Sequence, residues 1–136
     1  MSRSSYSQRR GRVILCIDDN QDVLECEKMF LESFGFRVLT ALSGRRGLEL
    51  ASMHSIDVVV VDYLMPGMNG QELALEMRRV RPQTPIILLS AELDIPQGAL
   101  ELVDIFVSKD SLTSQLLPAL AQLHGCGSMF GRSYDA

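Results

Sequence analysis

Nowhere in its 136 residues does the chain hold an apolar run approaching the roughly 20 residues that a bilayer-spanning helix needs. The opening stretch from Met1 to Arg10 also lacks the apolar segment of a secretory signal. These absences make a cytoplasmic protein the expectation. Three cysteines, Cys16, Cys26 and Cys126, include no CxxC spacing, so neither a disulfide framework nor a zinc site is supported. Cys16 lies in an apolar strand and Cys26 in a helical stretch, so both read as small core residues. Glycine is missing from the first strand-to-helix turn, Asp18-Asp19-Asn20-Gln21, and no GxGxxG or Walker-type lysine motif occurs. A dinucleotide or nucleoside triphosphate at that turn is therefore disfavoured. Acid is missing from the first 12 residues, which hold four arginines, while the rest carries 9 basic residues against 17 acidic ones. An acidic body argues against direct nucleic-acid binding. Residues 1–11 read as a flexible basic arm and residues 125–136 as a flexible tail.

What is present is a chain with 46% hydrophobic and 22% charged residues, enough for one domain, expected over 12–124, with a core of its own. Short apolar runs alternate with helical spacing along it. Val13–Ile17 reads as a strand buried on both faces, followed by a helix from about Asp22 to Ser33 with Val23, Cys26, Phe30 and Leu31 near helical spacing. Phe36–Thr40 is a second strand, and Ser43 caps a helix running to about His54. The third strand, Ile56–Asp62, precedes a helix that starts at Asn69 and ends near Arg81-Pro82. Pro85–Ser90 and Asp104–Ser108 complete five strands, with only a short helical stretch between Pro96 and Leu102. Ser111 to about His124 forms the last helix, and Pro118 inside it predicts a kink or break. Five β/α units of this kind predict an α/β fold: a doubly wound parallel sheet of order 2-1-3-4-5 with helices on both faces and an irregular fourth helix.

In that order the switch point lies between strands 1 and 3, where open α/β sheets place their chemistry. Asp18 and Asp19 end the first of these strands and Asp62 ends the third, after four valines. Three acids at adjoining strand tips repel one another unless a cation neutralises them, and carboxylate oxygens suit a hard divalent metal. Ser90 ends strand 4 and Lys109 follows strand 5 on the same rim. A metal, a lysine, a hydroxyl and a backbone N–H around one carboxylate suit phosphoryl handling, with Asp62 as the nucleophile.

These residues bring a family into view. The stretches Ile17-Asp18-Asp19-Asn20, Val61-Asp62-Tyr63-Leu64-Met65-Pro66-Gly67-Met68-Asn69-Gly70, Pro85-Ile86-Ile87-Leu88-Leu89-Ser90-Ala91 and the late Lys109 together resemble the receiver domains of two-component response regulators, which share the flavodoxin-like fold. The resemblance implies that Asp62 accepts a phosphoryl group from a sensor histidine kinase or phosphotransfer protein. It implies Mg²⁺ as cofactor, held by Asp19, Asp62 and the Leu64 backbone carbonyl, with Asp18 acting through metal-bound water. Ser90 would be the switch hydroxyl, assisted by the Ala91 N–H, Lys109 would pair with the phosphate, and Phe106 takes the aromatic switch position. The chain would then be no enzyme beyond its own phosphorylation and dephosphorylation. It would signal through a downstream protein that the sequence does not identify, without a membrane, and with a homodimer left open.

Several positions depart from that pattern. Asp110 replaces the usual proline after Lys109, where its carboxylate would compete for the ammonium. Leu102-Val103 replace the usual Gly-Ala pair, and only 19 residues separate Ser90 from Lys109. The fourth helix should therefore be short, and dimerisation through its face atypical. Leu64 and Glu92 flank the line of water attack in this family; Leu64 cannot position water. A phosphorylation-independent pseudo-receiver is the alternative, and an aspartyl phosphohydrolase is disfavoured because Leu64 stands where a general acid is needed. His54 and His124 sit at helix ends and carry no catalytic or ligand role. The Met1 start favours a standalone protein over a fragment.

Overall fold

The computed structural model describes residues 12–123, so the expectations for the arm, the tail and His124 lie outside the described residues. Five strands form one parallel sheet: β1 (Val13–Ile17), β2 (Arg37–Ala41), β3 (Val58–Asp62), β4 (Ile86–Ser90) and β5 (Ile105–Ser108). Their spatial order is β2-β1-β3-β4-β5, the predicted doubly wound arrangement. Between them run α1 (Gln21–Glu32), α2 (Gly44–Met53), α3 (Gly70–Val80), the one-turn α4 (Gln97–Leu100) and, after a 3₁₀ turn at Lys109–Ser111, α5 (Leu112–Leu123).

The three central strands are apolar on both faces because both faces are covered. Leu15, Ile17, Val59, Val61, Ile86 and Leu88 meet α2, α3 and α4 on one side. Ile14, Cys16, Val58, Val60, Ile87 and Leu89 meet α1 and α5 on the other. Gly47 brings α2 close to the sheet, since a Cβ there would fall 2.3 Å from Cδ1 of Ile17.

Helix starts follow the sequence signals. Asn20, Ser43 and Asn69 cap α1, α2 and α3 by accepting from the N–H groups of Val23, Arg46 and Glu72. At Asn69 the Glu72 side chain returns the bond, closing a capping box. The α4 segment is short, as expected: Pro96 supplies no side-chain cap, and buried Ile95 and Ala99 anchor it.

Two details differ from expectation. Cys26 is exposed, because the buried stripe of α1 runs Leu24, Glu27 and Leu31 rather than through Val23 and Cys26. α5 is continuous over Leu112–Leu123, so the break, one of the two outcomes expected, does not occur at Pro118. Pro118 sits on the exposed face, so the missing N–H leaves the carbonyl of exposed Ser114 open to water, while Leu116, Ala119 and Leu120 pack on the sheet.

The short connection from β4 to β5 is secured from α3. The Arg78 guanidinium donates to the carbonyls of Leu102 and Thr84, both at 3.0 Å, and to Asp104 Oδ2 at 2.7 Å. Asp104 in turn accepts from the N–H of Ile86 at 2.8 Å. One planar fork thus ties together the chain just ahead of β4 and β5. Replacing Arg78 by Met, which keeps the apolar stem, is expected to lower unfolding free energy by roughly 1–3 kcal/mol in urea titrations, since two partly buried carbonyls and the exposed Asp104 carboxylate lose their donor.

Candidate functional site

β1 and β3 are neighbours, with Cys16 opposite Val60 and Ile17 opposite Val61, so the acids at their ends arrive side by side. Asp18 is 1% exposed and Asp62 is 4% exposed, whereas Asp19 faces solvent. One carboxylate oxygen from each of the three lies within 4.8 Å of the others. Opposite them, the Lys109 ammonium reaches Asp18 Oδ2 and Asp62 Oδ1, each at 3.1 Å.

Local chain geometry holds this group in place. Asp18 Oδ1 accepts from the N–H of Asn20 at 2.9 Å, which turns the chain into α1. The Tyr63 N–H donates to the carbonyl of Leu89 at 2.8 Å, continuing the sheet one step past Asp62. The loop then closes through Gly70, whose N–H donates to the Tyr63 carbonyl at 2.7 Å. A Cβ at residue 70 would lie 2.6 Å from the Tyr63 Cα, so only glycine allows this approach.

The other predicted residues share the rim without joining the ionic cluster. Ser90 ends β4 and is buried, and its hydroxyl accepts from the N–H of Glu92 at 2.9 Å. Ala91 and Leu64 are exposed beside it and beside Asp62. Phe106 is half-buried against the α2–α3 side of the core. Asp110 does not compete for Lys109, because the ammonium spans Asp18 and Asp62 while the Asp110 N–H bonds to the Ser108 hydroxyl at 3.2 Å. His54 is exposed at the end of α2.

Electrostatics show too much negative charge for one lysine. Burial and the neighbouring Asp18 push the Asp62 carboxyl up to about 6, although its Lys109 and Leu64 hydrogen bonds pull it down. Burial lowers the Lys109 ammonium, but its bonds to Asp18 and Asp62 outweigh that and leave it raised. Three converging carboxylates, one with its proton affinity raised, are the donor set a hard divalent cation takes.

The sequence pattern described as the response regulator receiver domain matches residues 14–121. This chain belongs to that family. The transcriptional regulatory protein GlrR of Escherichia coli is 34% identical over 116 residues, covering 80% of this chain and 26% of GlrR. The chain therefore spans about a quarter of the length of that relative. The response regulator TrrA of Thermotoga maritima, solved in complex with Mg²⁺ and BeF, superposes with a TM-score of 0.79 at 29% identity, covering 84% of this chain and all (100%) of TrrA. TrrA bound to the histidine kinase ThkA matches with a TM-score of 0.76, also at 29% identity, covering 83% of this chain and 98% of TrrA. Among the described residues of this receiver domain, no helix is long and apolar enough to cross a membrane.

One charged residue near the pocket escaped the sequence reading. Glu27, on the inward face of α1, is 2% exposed, and its Oε2 has no hydrogen-bond partner. Burial, then repulsion from Asp18, push its carboxyl up to about 7. Acids are ordinarily assigned to a helix's solvent face, which hid it. The spacing Leu24–Glu27–Leu31 was the available signal.

Both raised carboxyls act on stability with the same sign. A folded-state value above the unfolded one stabilises the fold below the unfolded value, and this is lost as pH rises through the folded value. The metal-free receiver domain is therefore expected to lose stability as pH climbs from about 4 to about 7. For the buried Glu27 a rise of this size corresponds to roughly 3 kcal/mol. Urea titrations in chelator at pH 5 and pH 8 should show a loss smaller by roughly 3 kcal/mol in Glu27→Gln.

Proposed function

We propose that this receiver domain accepts a phosphoryl group on Asp62 from a sensor histidine kinase or phosphotransfer protein. The observation that carries this reading is the placement of Asp62: a nearly buried carboxylate at a strand end, bonded to Lys109 at 3.1 Å and clustered with Asp18 and Asp19. Mg²⁺ would be held by Asp19, Asp62 and the Leu64 carbonyl, with Asp18 acting through bound water. When bound, it supplies positive charge against the phosphoryl oxygens and the carboxylates.

The residues divide the remaining work. An Asp62 oxygen attacks phosphorus while the phosphorus–nitrogen bond of the donor's phosphohistidine breaks and its electron pair leaves with the imidazole. Lys109 already contacts Asp62 and pairs with the incoming oxygens. The Ser90 hydroxyl, which accepts from the Glu92 N–H, gives up that bond and donates its own proton to a phosphoryl oxygen, with the Ala91 N–H beside it. Phe106, half-buried next to this rim, is the aromatic whose packing follows that exchange. The chain acts on no external substrate, works in the cytoplasm, and signals by changing its contacts with a downstream protein. With α4 reduced to one turn, a homodimer through the α4–β5–α5 face is atypical.

Incubation with Mg²⁺ and a small-molecule phosphodonor should add one phosphoryl group to the wild type, read by intact mass, and none to Asp62→Asn. Lys109→Ala should slow uptake at least about tenfold while retaining Mg²⁺ binding. A wild type that folds and binds Mg²⁺ but gains no mass would instead identify a pseudo-receiver that signals without phosphorylation.

A further inference from the structure

The acid pocket does not end at its three aspartates. Side chains two apart on a strand share a face, so Asp18 stands above Cys16 and Asp62 above Val60, on the side covered by α1 and α5. Glu27 projects from α1 into this layer, packed at the level of Cys16. It is 2% exposed and Oε2 lacks any partner, an arrangement that costs an ionised carboxylate dearly and a neutral acid much less.

The groups facing Glu27 are few. From β1 come the Cys16 thiol, which hydrogen-bonds to it, and Asp18; from β3 comes Asp62; beyond β5 stands Lys109. α5 offers no ionisable side chain between Leu112 and Leu123. The Arg37 of β2 is exposed and pairs in register with Val13, at the opposite end of the sheet from the pocket. The coupling of Glu27 to Asp18, Asp62 and Lys109 is through charge rather than hydrogen bonds. Any charge added to the pocket is therefore felt at Glu27 through a buried, largely apolar interior, where screening is weak.

We propose that Glu27 is an internal proton carrier: it holds a proton while Asp18 and Asp62 face only Lys109, and releases it to solvent when a divalent cation binds above. The inference rests on the metal site named above and adds a consequence to it. A bound cation favours the ionised carboxylate, so binding expels the Glu27 proton. By linkage, removing that proton at higher pH strengthens cation binding. A phosphoryl group on Asp62 adds negative charge and acts in the opposite direction. The Glu27 charge thus follows the sum of charges above it, which makes metal occupancy sensitive to pH near neutrality.

The wild-type protein supports a direct test. Carboxyl carbon signals of Glu27, Asp19 and Asp62 are followed by NMR against pH, in chelator and in saturating Mg²⁺. The Glu27 midpoint should stand above those of the exposed glutamates and fall by about half a pH unit or more with Mg²⁺. In parallel, calorimetric Mg²⁺ titrations in buffers of different ionisation heat should show proton release at pH 7 that is reduced in Glu27→Gln. Between pH 6 and pH 8, affinity should rise about threefold more in wild type than in that variant. An unmoved Glu27 midpoint while the Asp19 and Asp62 signals respond to Mg²⁺ would overturn the coupling and leave the metal site standing. Silence at all three signals would overturn the metal site and the coupling with it. Proton release unchanged in Glu27→Gln would overturn the assignment of the proton to Glu27.

Discussion

Asp18 and Asp62 are taken out of water at the ends of adjacent strands, and Lys109 is the ammonium that bridges them, 3.1 Å from each. At 4 Å two like charges repel by on the order of 4 kcal/mol in a protein environment of moderate polarity, and burial adds to that. Lys109 offsets only part of this. Asp62 still holds its proton up to about 6, and Glu27, one layer below, up to about 7. The interior thus carries more negative potential than its own cation can balance. That imbalance makes the pocket receptive to an added positive charge.

Much of the surrounding structure serves to keep these charges close. The Asn20 N–H ties down one oxygen of Asp18, leaving the other for Lys109. Gly70 lets the loop after Asp62 fold back onto Tyr63 without a side chain between them. The 3₁₀ turn at Lys109–Ser111 follows β5 directly, so the lysine leaves the sheet beside the two acids. Away from the pocket, α4 has shrunk to a single turn, and Arg78 braces the carbonyls and the carboxylate at the entrances of β4 and β5. The three aspartates and Lys109 cluster at one rim with Ser90 buried at the neighbouring strand end, while the face beside it carries a one-turn helix.

The strands were legible because their apolar runs are nearly continuous, as full burial on both faces demands. Ser43 and Asn69 marked their helix starts because a capping side chain acts on its own first turn. Pro118 misled because local propensity ignores which side of a helix faces water. Cys26 was read as a core residue for a related reason: hydropathy favours burying its sulfur, whereas α1 exposes it and buries its neighbour Glu27. The stripe of α1 that meets the sheet is set by Leu24 and Leu31, and Glu27 sits between them.

By itself the sequence determined the order of strands and helices, the sheet they form, and the acids, hydroxyl and lysine that its rim displays. Those follow from periodicity, caps and strand ends, which are local. Only the tertiary structure decided that Lys109 spans Asp18 and Asp62, a pairing with Asp18 across 91 residues of chain. It alone directed the Ser90 hydroxyl to the Glu92 N–H and buried Glu27 beneath the pocket. Each depends on which surfaces meet once the helices dock, and local pattern carries no record of that.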